Sequence, residues 1–313
     1  MNTGVLRRDG SLHVRLLGPQ RDSTGARAAV ADLLPYGPIA TINAGWRERE
    51  DETTELDDVL GGRMRNLELY RRWREMRAAD ADFDAAEVRL RRVLGELQTV
   101  YQIRLRHALD TISALRRRDE VARVQQAALD DANRVVQELD AWHLRVVAAA
   151  RQEFYDATGL GERPEVVRHR HEVATMINDC AGFVITGGQV AVLLHCLHVF
   201  NLRPLLRGPV ITWSAGAMAL SERVVLFHDH AAQGAAPAQV YAEGLGVHTG
   251  LVCLPHADRR LSVDPWRLTQ LARRFAPARC VPLDPGVSID VGSELPADVR
   301  VLDPGTATEA DHD

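Results

Sequence analysis

The chain has 313 residues, 46% of them hydrophobic, enough for one large domain or two small ones around a sizeable core. Its formal net charge of −5 gives no basis for a nucleic-acid partner, and what positive charge there is comes from arginine. The opening MNTGVLRRDG lacks the apolar stretch of a signal peptide, and no uncharged run approaches the ~18 residues of a spanning helix. The expectation is a cytoplasmic protein with no membrane partner.

Two strand-like runs come first, Leu12–Leu17 and Pro38–Asn43 (PIATIN), with a short helical stretch, GARAAVADLL, between them. Then the breakers vanish. No proline occurs between Pro38 and Pro164, and Gly95 is the only glycine between Gly62 and Gly159. Helix is the default in such a stretch. Leu90, Val93, Leu94, Leu97, Tyr101, Leu105, Leu109, Ile112 and Leu115 recur with a period near 3.6. After the charged tip Arg116-Arg117-Arg118-Asp119-Glu120 the pattern resumes through Val124, Leu129, Val136, Leu139, Trp142 and Val146. Two antiparallel helices are predicted, each ~45 Å long at ~1.5 Å per residue. Each can cover the other's apolar stripe. A face left over is a surface for a homo-oligomer, and failing that the hairpin is a solvated arm with no part in chemistry.

From about residue 163 strands and helices alternate. Strands are predicted at Ala181–Thr186, Pro209–Trp213, Val224–Phe227, Leu251–Leu254, Cys280–Leu283 and Val287–Asp290. Helices are predicted at Val190–Phe200, Ala215–Ser221 and Pro265–Phe275. Short apolar runs alternating with helices imply a mostly parallel sheet covered on both faces. The first strands complete the same sheet. The fold class is therefore α/β, with residues 1–62 and 160–313 forming one domain and residues 63–159 a helical hairpin inserted into it.

Active groups in a parallel sheet gather beyond the carboxyl ends of the strands. Three segments deliver candidates there. In VITWSAGAMA a buried strand runs into Ser214 with a helix following at once, the arrangement of a nucleophile elbow. The small residues Ala215, Gly216 and Ala217 let neighbouring backbone pass close, and free N–H groups at the helix start favour an oxyanion. Thr186-Gly187-Gly188-Gln189 follows a second strand, and a glycine pair there lets backbone amides approach a ligand. His256 follows Pro255 at the end of a third strand and can reach the serine as its base. A serine hydroxyl needs such a base, and the base needs an orienting carboxylate. Between Ser214 and His256 the candidates are Glu222, Asp229 and Glu243. Asp229 follows an apolar run and emerges from an ordered element, whereas Glu222 falls on the outer end of a helix. A further patch, Asn43-Ala-Gly-Trp-Arg-Glu-Arg-Glu50, follows the PIATIN strand, so Trp46, Arg47 and Glu48 belong to the same edge.

No cofactor or metal is expected. Cys180, Cys196, Cys253 and Cys280 sit in apolar surroundings without ligand spacing and read as reduced core thiols. In His228-Asp229-His230 neighbouring side chains on an extended chain point to opposite sides, which does not suit one metal ion.

GGQV, then VITWSAGA, then an aspartate, then LPH resembles the peptidase E and cyanophycinase family of serine peptidases. That family has the flavodoxin-like fold of class I glutamine amidotransferases, with serine in place of the amidotransferase cysteine. The resemblance implies a triad of Ser214, Asp229 and His256, and an oxyanion hole from Gly187, Gly188 and Ala215. It implies substrate contacts from Trp213, Gln189, Arg259 and Arg260, with Arg223 and Arg267 as further cations for an acidic group. It covers roughly Val173–Val291 and, more weakly, Pro38–Gly45, and leaves out the helical hairpin. Four positions depart from the pattern. Thr212 stands where the elbow usually has Gly, Gln189 replaces Asn, Met218 replaces Asn, and Ala257 replaces an aromatic residue. The implied activity is cleavage of a small peptide or amide substrate through an acyl-enzyme. The rivals are an amidase or esterase on the same triad, and a non-hydrolytic binding or scaffold protein of the same fold.

Overall fold

Alternation of short apolar runs with helices produces the sheet that the sequence implies. The computed structural model describes residues 12–20, 25–118, 121–228, 236–261 and 264–305. In chain order, β1 (Val14–Leu17), α1 (Gly25–Leu33), β2 (Ile39–Ile42), α2 (Thr54–Val59) and β3 (Met64–Asn66) come first. Four helices follow: α3 (Leu69–Ala79), α4 (Ala81–Arg116), α5 (Ala122–Thr158) and α6 (Pro164–Asn178). Then come β4 (Gly182–Ile185), α7 (Val190–Val199), β5 (Val210–Trp213), α8 (Ala215–Leu220), β6 (Val224–His228) and β7 (Ala236–Ala242). The chain closes with β8 (Leu251–Pro255), α9 (Ala257–Arg260), α10 (Pro265–Phe275), β9 (Arg279–Leu283) and β10 (Ser288–Asp290).

The central sheet has the order β10-β1-β5-β4-β2-β3, parallel except for the edge strand β10. The run β3-β2-β4-β5 is the flavodoxin-like succession, and the chain's own first strand takes the next place. Every residue of β2, β4 and β5 is buried, as expected of strands covered on both faces. The prediction of one sheet for all strands needs correction. β6 pairs antiparallel with β7, and β8 pairs parallel with β9, each as a separate two-stranded ladder. β3 lies inside the stretch that the sequence assigns to the hairpin, yet it pairs with β2.

The two long helices run for 36 and 37 residues, about 54 Å each at ~1.5 Å per residue. They exceed the prediction because α4 begins earlier, at Ala81 with Phe83 and Ala86 buried, and α5 runs on to Thr158 with Val147 and Phe154 buried. Asp80 starts α4 by accepting the backbone N–H of Phe83 at 2.9 Å, and Gly159, at φ 54°, ends α5. At the turn, the Gln125 side-chain amide donates to the carbonyls of Leu115, Arg116 and Arg118.

The pair is not a solvated arm. Phe83, Ala86, Leu90, Val147 and Phe154 join the main core with Ile42, Phe183 and Ile185. Farther out, Tyr101, Leu105, Ile112, Val136 and Leu139 pack with Val225, Val240, Val252 and Phe275. Between these apolar contacts lies a buried ionic lock. Arg274 of α10 donates to both carboxylate oxygens of Asp140 at 2.7 Å, to the Tyr101 hydroxyl at 2.7 Å and to the Ala238 carbonyl at 2.6 Å. Tyr101 in turn donates to Asp140 at 2.7 Å and accepts the backbone N–H of Val240. A guanidinium buried this deeply is tolerable only because every direction it donates in is met. The lock ties α4, α5, β7 and α10 into one body.

The four cysteines are free thiols. Burial pushes Cys253 and Cys280 up to about 12, which leaves them inert as nucleophiles.

Candidate active site

Strand register sets the site. Ile42 of β2 is level with Ile185 of β4, and Ile185 with Thr212 of β5. Their carboxyl ends therefore release Asn43, Thr186 and Ser214 along one edge. Leu17 of β1 is level with Trp213, which brings Gly18 to the same place.

Ser214 has φ 51° and ψ −122°, a conformation that L side chains rarely adopt, wedged between the end of β5 and the start of α8. This strain is what a strand-to-helix elbow imposes on the residue it displays. Small neighbours make it feasible. A Cβ on Gly216 would come within 2.6 Å of the Ile185 carbonyl oxygen and 2.8 Å of that of Thr186. Thr212 fills the turn from below, its Oγ1 only 2.3 Å from where a Gly216 Cβ would lie. Its hydroxyl points inward and donates to the Ile185 carbonyl at 2.9 Å.

Gly187 lies flush against the serine. A side chain there would begin 2.9 Å from Ser214 Cβ and 3.5 Å from its Oγ, in the space before the hydroxyl. Gly188, at φ 110°, is in a region open to glycine alone, and a Cβ on it would meet the Gly45 carbonyl at 2.3 Å. The Gln189 N–H donates to that carbonyl at 2.7 Å. Three backbone segments thus meet at glycines, and Ala215 N lies 3.8 Å from the position a Gly187 Cβ would take.

His256 ends β8 in the left-handed region, at φ 59° and ψ 36°, and its N–H donates to the Leu283 carbonyl of the neighbouring strand. Its Nε2 lies 3.4 Å from Ser214 Oγ. That is a long hydrogen bond, of the kind that tightens when substrate is bound. Burial lowers the imidazole pKa, the Arg260 charge lowers it further, and Asp258 and Asp284 oppose them. The neutral form, the one able to accept a proton, is favoured.

Asp229 lies outside the described residues. Glu222 pairs with Arg223 at 2.8 Å, and Glu243 is exposed. Sequence reasoning missed Asp284 because it searched only between serine and histidine. Asp284 directly follows β9, its backbone carbonyl packs on Gly18, and its carboxylate accepts the Asp258 N–H at 2.9 Å. The available signal was the same one used for Ser214, a polar residue at the end of an apolar strand.

The expected substrate contacts separate. Trp213 points into the apolar layer of Leu17, Ala29, Val30 and Ile211, away from the hydroxyl. The Gln189 side chain caps α7, accepting the Val192 N–H at 2.5 Å, with the residue exposed. Arg259 is exposed beside Asp258, while Arg260 is half-buried and close enough to act on the imidazole. Arg267 stands 3.9 Å from Asp264. In the 43–50 patch, Trp46 N donates to the Asn43 carbonyl and Arg47 has φ 60° and ψ −123°, nearly the geometry of Ser214. Both amide atoms of the Asn43 side chain are buried with no hydrogen-bond partner among the described residues. Glu48 accepts from the Tyr70 hydroxyl at 2.7 Å. Among the described residues, no group of three or more His, Cys, Asp or Glu side chains could hold a metal ion. No helix among them is long and apolar enough to cross a membrane.

No protein-family model matches the chain, and no curated protein matches it. Among solved structures it is similar to the crystal structure of a peptidase from an acI-B1 Actinobacterium. The identity is 13% and the TM-score 0.42, over 94% of this chain and 91% of that one. At that level the likeness bears on neither the fold nor the activity of this chain.

Proposed function

We propose that the chain is a serine hydrolase of the peptidase E-like type, cleaving a peptide or amide bond through an acyl-enzyme. The observation that carries this is the strained Ser214, with its hydroxyl 3.4 Å from His256 Nε2 and a glycine flush against it. In the proposed reaction Ser214 Oγ attacks the carbonyl carbon while its proton passes to His256 Nε2. The N–H groups of Ala215 and Gly188 hold the oxyanion. The C–N bond then breaks, and the imidazolium gives its proton to the departing amine. Water, deprotonated by His256, then attacks the ester carbon, and as the C–O bond to Ser214 breaks the imidazolium returns its proton to Oγ.

Two carboxylates compete to orient His256. Asp229 matches the family pattern. Asp284 is favoured by its place at the end of β9, where its carboxylate accepts the Asp258 N–H two residues beyond the histidine. An ester or a non-peptide amide would serve the same groups equally well, and substrate identity separates those readings.

The test is covalent labelling with a fluorophosphonate. Wild type is expected to take up one label, and Ser214→Ala none. Peptide turnover in Ser214→Ala is expected to fall by roughly 10³-fold or more with the melting temperature nearly unchanged. An unlabelled wild type, together with no turnover of any short peptide, would make the chain a binding protein.

A further inference from the structure

A cavity of about 280 Å³ opens between the helical pair and α10. Its walls are largely apolar: Leu109 and Ile112 from α4, Val136 from α5, Leu261, and Trp266 and Leu271 from α10. Arg274 also lines the cavity, with each of its three nitrogens already donating to Asp140, Tyr101 or Ala238. About 150 Å³ of apolar space accommodates a benzene ring, so this cavity has room for an aromatic side chain and an attached amide. Gln270, on the same lining, has a buried Oε1 with no donor among the described residues. An acceptor buried without a partner is costly unless a ligand N–H or water meets it.

One wall of the cavity, Leu261, comes soon after the base in the chain. α9 is a single turn after His256, and Leu261 N donates to the Ala257 carbonyl at its end. At ~1.5 Å per helical residue the wall residue Leu261 stands only ~7.5 Å along the chain axis from His256.

We propose that this cavity is the specificity pocket of the hydrolase, taking the bulky apolar side chain of a residue next to the scissile amide, with a substrate N–H donated to Gln270 Oε1. The assignment rests on the hydrolase reading of Ser214. It also gives the helical pair a task, because α4 and α5 supply Leu109, Ile112 and Val136 to the apolar walls. A preformed apolar pocket discriminates by size, at about 10- to 200-fold between related side chains.

Binding and turnover test this separately. Calorimetric titration of the Ser214→Ala protein is expected to show N-acetyl-phenylalaninamide binding at least tenfold tighter than N-acetyl-alaninamide. Leu109→Glu, placing a charge on a half-buried wall position, is expected to abolish that difference. In active protein, the ratio of kcat/KM for peptides with Phe against Ala beside the cleaved bond should fall at least tenfold in Leu109→Glu. Trp266→Ala should show the same fall and covers the case in which the first variant does not fold. Equal binding of the two amides, or an unchanged ratio in both variants, overturns the pocket even if Ser214 hydrolyses peptides. A binding preference with no turnover of any peptide instead overturns the hydrolase reading, and with it the identity of the bound group as a substrate side chain.

Discussion

Ser214 and His256 both sit at positive φ, a position that costs a non-glycine residue on the order of 1–3 kcal/mol. Surrounding structure must over-determine such residues, and here it does so through glycine contacts below the serine and the β8–β9 ladder below the histidine. The open matter at this scale is which carboxylate orients the imidazole. With Asp284 in that role, Asp284→Asn is expected to lower kcat by roughly 10²–10⁴-fold while KM changes little, because the imidazole loses its orienting partner. Asp229→Asn would then stay within a few-fold. Steady-state kinetics of both variants on one peptide decide it, and the reverse ranking assigns the role to Asp229. The serine, the glycine pair and the histidine were legible as positions in the sequence because each comes directly after, or one residue past, a short and mostly apolar strand. The side-chain direction of Trp213 was not, since alternation along β5 turns it to the opposite face, and position next to a nucleophile does not reveal this.

Elements were legible in proportion to their pattern. The helix Pro265–Phe275 was read to the residue, helped by Pro265 at its first position and by Asp264, whose side chain accepts the Trp266 N–H at 3.0 Å. β3, three residues reading Met-Arg-Asn with a half-exposed pattern, carries almost no periodic signal and exists because β2 offers it an edge. Nor does a buried apolar run name its partner, which is why β6, β8 and β9 were assigned to the wrong sheet. The long helices allow a sharper test. Gly95 lies in the middle of α4, and a Cβ there would meet nothing within 4 Å. Neither a turn nor a close contact within the described residues requires glycine. Gly95→Ala should therefore stabilise the protein by about 0.5–1 kcal/mol, since alanine loses less backbone freedom on entering a helix. Urea unfolding measures this. A loss of stability instead would reveal something packed against that face, which also carries the exposed Val88 two turns earlier.

Across the whole molecule, several imidazoles are buried as neutral groups. His143, His169 and His248 are all lowered by burial, and His198 is held down to about 4 by burial first and then by the Arg151 and His195 charges. These residues come from α5, α6, the β7–β8 connection and α7, so the effect spreads over the layers that pack on the sheet. The linkage has a definite sign. Above the ordinary histidine value of about 6.5 the group is neutral in folded and unfolded chains alike, and pH has no effect through it. Below it the unfolded chain takes up a proton that the folded His198 refuses until about pH 4, so stability falls across that window. One pKa unit corresponds to about 1.4 kcal/mol, so His198 alone contributes a loss of up to about 3 kcal/mol between pH 6.5 and 4. Carboxylates titrate in the lower part of the same window, and the comparison that isolates the imidazole is wild type against His198→Gln. Urea unfolding at pH 7, 5.5 and 4.5 is expected to give a shallower decline for the variant than for wild type. Parallel curves would mean that His198 takes up its proton in the folded chain as readily as in the unfolded one.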